Sequence, residues 1–485
     1  MSPNDNMPGT RLDQDGDMPP VTIDNVRDFV VGVDRVAPVV TGPDVPYVNF
    51  DNAATTPPFR HVLDQLRHFF EWYSSVHRGS GFKSVLSTRV YEQCRQVVAD
   101  FIGADPGHHT VVFTQNATHA LNKLAMRIRR PGGHVVLTTL MEHHSNMLPW
   151  RKLGPPIEYA AVRRSDGSLD MADLERKITA NSGRLCLVAV TGASNVTGSM
   201  PPIRRIARLA HENGAAFALD ATQLIPHRPF TMGAPDDPER VDFVAFSAHK
   251  MYAPFGCGVL VGPKKVFEQG EPDTVGGGTV HAVTADETLW ASPPERDEAG
   301  TPNVPGAIAL AAAIRVLQSI GMENVAEHER ELTRRALGRL TKMKGILLYG
   351  PKDHALAEDH LGIVALNADG FGHGELAAIL GHEWGIGVRN GCFCAQPYVR
   401  ELLGISDEEM MSIIKKLAAD DHATVPGMIR ASFGVYNTPD EVDFFTEALA
   451  HILADGPRAQ YKLDERYMDF VPDEPLPGVE EYFRL

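Results

Sequence analysis

The chain has 485 residues, 43% hydrophobic and 22% charged, enough to bury a sizeable core in about two domains and too long for a single small binding module. Its 46 basic against 62 acidic residues give a net charge of −16, which disfavours nucleic acid and anionic membrane surfaces as partners. No run reaches the roughly 18–20 apolar residues of a membrane span, residues 1–60 lack a basic start before an apolar core, and the cysteines are too few and irregular for a disulfide framework; a cytoplasmic protein with reduced thiols is expected.

Residues 1–40 are rich in Pro, Asp, Asn and Gly, with one short apolar run at Phe29–Val33, and predict a loosely ordered arm with a little capacity to dock. Over residues 41–310, short Val/Leu/Ala runs alternate with helical patterns, as in a mainly parallel sheet flanked by helices. Strands are predicted at Thr110–Thr114, His134–Leu140, Leu185–Val190, Ala215–Asp220, Val241–Ser247 and Gly256–Val261; their near-continuous apolar character suits burial on both faces. Ile203, Ile206, Leu209 and Ala210 recur at helical spacing, and Asn213-Gly214 supplies the stop. After Thr301-Pro302-Asn303, a long charged helix at Met322–Met343 and strands at Ile346–Tyr349 and Ile363–Asn367 predict a smaller C-terminal α/β domain over residues 311–455. Within it, residues 400–426 read as a helical, acidic insertion. Residues 456–485 form an acidic, Pro-rich tail with aromatic residues.

Two strand ends carry candidate chemistry. The run Val241-Asp-Phe-Val-Ala-Phe-Ser-Ala-His-Lys250 delivers a lysine at the carboxyl edge of a buried strand, where ligands bind in open parallel sheets. Desolvated beside His249, that lysine would form Schiff bases readily; standing alone, it would simply reach out to water. Phe217-Ala-Leu-Asp220 ends another strand in an acid, suited to hold a pyridine nitrogen protonated in pyridoxal phosphate (PLP) or, more plainly, to cap a helix. Asn116-Ala117-Thr118 stands at a strand-to-helix turn, where free backbone N–H groups favour an anion such as a phosphate. No His spacing of a metalloprotease type and no spaced dinucleotide glycine loop occurs, and no metal is expected.

Together, Asp220-x-x-Gln223 and Ser247-x-His249-Lys250 resemble the class V aminotransferase family of fold-type I PLP enzymes, above all its cysteine desulfurase and selenocysteine lyase branch. Tyr47-Val-Asn-Phe-Asp-Asn-Ala-Ala-Thr-Thr56, Val76-His-Arg78-Gly79 with Tyr91-Glu92, and Thr301-Pro302-Asn303 extend the resemblance over residues 45–450. It implies that Lys250 carries PLP, that His143 of Met141-Glu142-His143-His144 stacks on its ring and assists proton transfer, and that Asp220 holds the ring nitrogen. It further implies that Gln223 bonds the phenolic oxygen, and that Asn195 lies near substrate and cofactor. Thr118, Ser247 and His249 would hold the phosphate, joined by Thr301 from a second subunit, which implies a homodimer. Arg430 matches the arginine that forks the substrate carboxylate, and Arg389 matches a second substrate contact. One phosphate contact is missing where many relatives have a hydroxyl and this chain has Ala117.

Arg389-Asn-Gly391-Cys392-Phe393-Cys394-Ala-Gln-Pro397 resembles the desulfurase loop, with Cys394 on the nucleophile that takes sulfur from L-cysteine as a persulfide and leaves L-alanine, a sulfur-acceptor protein then being a partner. Cys392 and Phe393 stand where that subgroup commonly has two histidines. The Cys-x-Cys pair could also form a disulfide, bind a soft metal weakly, or be two small loop residues. Alternative readings are therefore a PLP-dependent carbon–sulfur lyase or aminotransferase on another amino acid, and a catalytically retired scaffold.

Overall fold

Apolar segments without polar interruption cannot offer a solvated face, so they take central places in a sheet covered on both sides. Seven strands build that sheet: β1 (His109–Thr114), β2 (Val135–Thr139), β3 (Ile157–Ala160), β4 (Leu185–Thr191), β5 (Ala216–Asp220), β6 (Phe243–Ser247) and β7 (Gly258–Pro263). Their order is β1-β7-β6-β5-β4-β2-β3. Pairing is parallel from β6 through to β3, while β7 runs antiparallel to both its neighbours. The computed structural model describes residues 20–484 apart from 129–132, 153, 155, 353–359, 418–424, 465, 467–468, 475 and the side chains of Leu417 and Val479.

The strand period of two splits the core. In β4, Val188 and Val190 join the larger apolar cluster on one face, and Leu187 and Ala189 join the other cluster. The larger face is covered by α1 (Arg60–Trp72), α2 (Phe82–Phe101) and α5 (Val304–Ile320); α3 (Ala117–Arg127) packs on the opposite one, and α4 (Ile203–Glu212) lies beside β4 and β5. Strand β3 is absent from the sequence expectation. It follows a Pro pair, carries Glu158 and Tyr159, and is only half-buried at the sheet edge, so it lacks the apolar run that marks the others.

A second sheet of four antiparallel strands, β8 (Ile346–Tyr349), β9 (Ile363–Ala368), β10 (Arg389–Gly391) and β11 (Met428–Ser432), runs in the order β8-β9-β11-β10. It has its own core, with Leu332 of α6 (Met322–Leu340), Ile379 of α7 (His373–Trp384), Ile429 and Phe445. Helix α6 ends three residues before the predicted Met343. The stretch expected as a helical insertion holds the end of α8 (Gln396–Leu403) and the exposed α9 (Asp407–Leu417), broken by left-handed Gly404 at φ 69°; residues 418–424 lie outside the described residues.

The predicted N-terminal arm divides: residues 1–19 lie outside the described residues, whereas Val21, Val26 and Val30 are fully buried within the larger apolar cluster. The tail forms a hairpin, Tyr461–Asp464 with Asp469–Pro472. Glu383 of α7 anchors its start, accepting hydrogen bonds from Arg458 N (2.8 Å), Ala459 N (3.1 Å) and Tyr461 Oη (3.2 Å).

Glu329 of α6 ties the two sheets together. Its carboxylate accepts from Arg228 Nη1 at 2.8 Å and Gly362 N at 2.7 Å, and meets His227 Nδ1 at 2.5 Å. Burial alone would raise its pKa, but His227 and Arg228 prevail and hold it at about 2. Among the described residues no single helix is long and apolar enough to cross a membrane.

Candidate active site

Parallel strands aim their carboxyl ends at one edge, and here that edge collects nearly every residue singled out in the sequence. Strand β1 runs into the N-terminus of α3, β2 into the His143 turn, β4 into Asn195, β5 ends on Asp220, and β6 leads through Ser247 to Lys250. A cavity of about 500 Å³ opens there, lined by Thr118, His143, Asn195, Asp220, Gln223, Ser247, His249, Lys250, Arg389, Cys394 and Arg430 among others. Thr301 is the exception: it is exposed and lines a separate cavity with Tyr91 and Glu298.

The anion cradle follows from local geometry. Asn116 caps α3 by accepting from His119 N at 2.9 Å. Ala117 N donates to Ser247 Oγ at 2.8 Å, and Thr118 Oγ1 lies 2.6 Å from Ser145 Oγ. The turn needs glycine across from it, because a Cβ on Gly258 would stand 2.4 Å from Asn116 Cα.

Burial governs the charges. It lowers Lys250 to about 8, helped by Arg430 and opposed by Asp220, Cys394 and Asp51. His143 is pushed to about 3 by burial and by Lys250, His144 and Arg430, so it is neutral at pH 7. Its Nδ1 accepts from Ser145 N at 3.1 Å, which leaves the ring proton on Nε2. His249 falls to about 4, again through burial and Lys250. Burial raises Asp220, against hydrogen bonds from Thr222 and the charge of Lys250. Asp220 Oδ1 accepts from Thr222 N at 3.1 Å, so the side chain closes a turn without capping a helix, and the rest of the carboxylate remains available.

Opposite stands the cysteine loop. Phe393 and Cys394 take left-handed backbone angles, φ 53° and 55°, which ordinary residues rarely adopt. Two bonds hold them: Asn195 Nδ2 donates to Phe393 O and His144 N to Cys394 O, each at 2.7 Å. Cys394 is exposed, and no Cys392–Cys394 disulfide is present. Cys392 instead donates from Sγ to Pro426 O at 3.1 Å, and burial, with Cys394 nearby, raises it to about 11.

Arg430 is buried with its Nη1 on Asn195 O and its Nη2 on Asp51 Oδ1, both at 2.9 Å, and with the Phe393 ring 5.0 Å from its guanidinium carbon. Arg389 Nη2 meets Asp51 Oδ2 at 3.0 Å. Asp51, Ser145 and Glu142 line or support the site without a sequence signal of their own, although Asp51 and Glu142 lie inside the Tyr47–Thr56 and Met141–His144 motifs. Glu142 is wholly buried behind the His143 turn. It accepts from Thr139 Oγ1 (2.6 Å), Asn146 Nδ2 (2.7 Å) and Thr191 N (3.1 Å), and burial raises it to about 8.

A desolvated lysine, a buried acid at the end of the neighbouring strand and a helix-terminal anion cradle fit PLP. The buried Gln223 Oε1 and Arg430 Nε have no hydrogen-bond partner, as expected of polar atoms placed for a guest. Fold and cavity therefore define a PLP-dependent enzyme of fold-type I. Residues 48–445 match the family described as Aminotransferase class-V. A cysteine desulfurase of Haloferax volcanii is 34% identical over 446 residues, covering 89% of this chain and 96% of the relative. A probable cysteine desulfurase of Pyrococcus abyssi is 34% identical over 414 residues, covering 84% and 94%. The apo structure of a cysteine desulfurase from Thermococcus onnurineus NA1 superposes with a TM-score of 0.75 at 32% identity, covering 89% of this chain and 98% of that one. The chain belongs to the class-V aminotransferase family.

Proposed function

We propose that the protein is a cysteine desulfurase that converts L-cysteine to L-alanine and retains the sulfur as a persulfide on Cys394. The observation that carries this reading is the placement of an exposed thiol, Cys394, across one cavity from the buried amine of Lys250. Thr118, Ser247 and His249 would hold the cofactor phosphate, His143 its ring face, Asp220 its ring nitrogen and Gln223 its phenolic oxygen. Bound there, PLP supplies an electron sink for the bond-breaking at the substrate. Lys250 attaches the cofactor and moves the proton at the substrate Cα, a task suited to an amine whose pKa is lowered toward neutrality. Arg430 binds the substrate carboxylate, with Arg389 and Asn195 beside it. The Cys394 thiolate attacks the substrate sulfur, forming the S–S bond as the carbon–sulfur bond breaks. Neutral His143, protonated on Nε2, can donate a proton in the cavity.

An exposed Cys394 supports hand-over to a sulfur-acceptor protein. Thr301 on the surface, together with the exposed apolar Val283 and Leu289 of the hairpin Val280–Val283 with Thr288–Trp290, supports a homodimer in which it serves the partner's site. We place it in the cytoplasm because reduced, reactive thiols such as Cys394 persist in a reducing compartment. The test incubates wild type and Cys394→Ala with L-cysteine and PLP and assays alanine and persulfide sulfur together. Both products from wild type and neither from the variant are expected. Full alanine release by the variant would transfer the assignment to a carbon–sulfur lyase.

A further inference from the structure

A second cavity, of about 1110 Å³, opens between the two domains. One side is built by the loop after β3 and by the segments that follow β4 and β5, the other by Glu323 and Arg330 of α6 and by residues 350–352 after β8. Clefts between domains are preferred places for small-molecule sites. Met200, Ile203, Leu224 and Phe230 give this one an apolar surface, while five cationic side chains face only two acids, Asp166 and Glu323. That excess of positive charge stands out in a protein of net charge −16.

Three of the cations already serve the protein. Arg204 donates to Thr231 O and Glu239 O, Arg228 to Glu329 and His360 O, and Arg163 to Ser168 Oγ. Lys352 is exposed. Arg330 has Nη1 on the exposed Glu327 at 2.9 Å, and its buried Nε has no acceptor among the described residues; the Nε of Arg228 lacks one as well. Charge and donors therefore exceed what the protein itself meets, which suits an anionic group carried on an apolar body.

One segment borders both cavities. Ala193 and Asn195 line the active site, and Gly192 and Ser199 line the cleft. Asn195 holds Phe393 O at 2.7 Å and Arg430 Nη1 at 2.9 Å, and Thr197 Oγ1 lies 2.9 Å from Tyr398 Oη of α8. The smaller domain packs directly on the same segment, since a Cβ on Gly350 would stand 2.7 Å from Thr197 Cβ. We propose that the cleft is a regulatory site for a small organic anion with an apolar body, and that residues 192–199 transmit its occupation to Arg430 and the cysteine loop.

The test titrates 8-anilinonaphthalene-1-sulfonate, an aromatic sulfonate that fluoresces on leaving water, into holoenzyme of wild type, Arg330→Met and Lys352→Met. Saturable binding by wild type is expected, weakened roughly tenfold in Arg330→Met and less in Lys352→Met, the scale of one lost charged contact. The cofactor band and the thermal unfolding midpoint of both variants should match wild type, so that lost binding is not lost fold. The dissociation constant of L-alanine, read from the cofactor absorbance, should change by roughly threefold or more at saturating probe, and L-alanine should change probe affinity by the same factor. Wild type without saturable binding, or both variants within about twofold of wild type, would overturn the site. Simple competition between probe and L-alanine would put the probe in the active cavity and also count against it. An L-alanine affinity unmoved by saturating probe would overturn the regulatory role. None of these readings needs turnover of L-cysteine, so failure of the desulfurase reading leaves the test intact.

Discussion

The two walls of the cavity are made differently. On the sheet side, Lys250, Asp220 and His143 follow directly from strand ends, and burial sets their charge states. On the loop side, Phe393 and Cys394 hold left-handed backbone through two carbonyl hydrogen bonds, and the thiol is open to solvent. A wall formed by a sheet edge is shared by every reaction the scaffold hosts, whereas a wall formed by a loop is free to differ, which is why fold alone does not fix chemistry. The comparison predicts that cofactor capture and sulfur transfer can be broken separately.

The largest effects come from a reciprocal pair of variants. Lys250→Ala should lose both the visible cofactor band and all turnover. Cys394→Ser should keep the band and the cofactor affinity while persulfide formation falls by roughly 10³-fold, the scale of losing a nucleophile. Absorbance spectra and persulfide assays on the same preparations check both, and loss of the band in Cys394→Ser would show that the walls are not independent.

The next effect concerns what holds the walls together. Glu329 has a depressed pKa of about 2. A group so lowered contributes stability that is fully present above its unfolded value of about 4.5 and lost as pH falls toward 2. Glu329→Gln leaves Arg228 and His227 without their shared carboxylate and should cost about 3 kcal/mol or more at pH 7. Urea unfolding should also show the wild type, and not the variant, losing that increment between about pH 4.5 and 2.

How much of this was legible in the sequence follows the same division. Strand ends announce themselves through apolar runs that stop at Asp220 or Lys250, and the capped turn at Asn116 reads from its residue types. Cys394 and Arg430 needed resemblance to a family, since nothing in Arg-Ala-Ser or Phe-Cys-Ala alone reveals which cavity they reach. Asp51 was quoted inside a motif and given no task, because its partners Arg389 and Arg430 lie more than three hundred positions away, and only the second sheet brings them together. Strand β3 escaped because an edge strand with polar residues lacks a two-faced apolar pattern. The pairing of Cys392 with Pro426, across the insertion, has no sequence signal at all.

A smaller effect isolates the cradle. Gly258→Ala places a Cβ 2.4 Å from Asn116 Cα, on rigid backbone at the start of α3. The turn must shift, Thr118 and Ala117 N move with it, and the phosphate contacts suffer while Cys394 is untouched. A roughly tenfold weaker PLP affinity, about 1.4 kcal/mol, is expected from titration of apoenzyme, with the turnover number of the fully loaded enzyme unchanged.

The smallest effect is a pH dependence, and it belongs to the sheet wall alone. Schiff-base formation needs the neutral amine, and an ordinary lysine with pKa near 10.4 offers little of it at pH 7. Burial and Arg430 lower Lys250 to about 8, so its neutral fraction rises about fivefold from pH 7 to 8 and less than twofold from 8 to 9. The rate at which apoenzyme regains its cofactor band should follow that curve, steep to pH 8 and then flattening. Cys394→Ser should trace the same curve, because the thiol's contribution opposes the shift and is minor beside burial. A rate that keeps climbing tenfold per pH unit through pH 9 would mean that Lys250 is solvated in the apoenzyme and that the sheet edge does not desolvate the amine before the cofactor arrives.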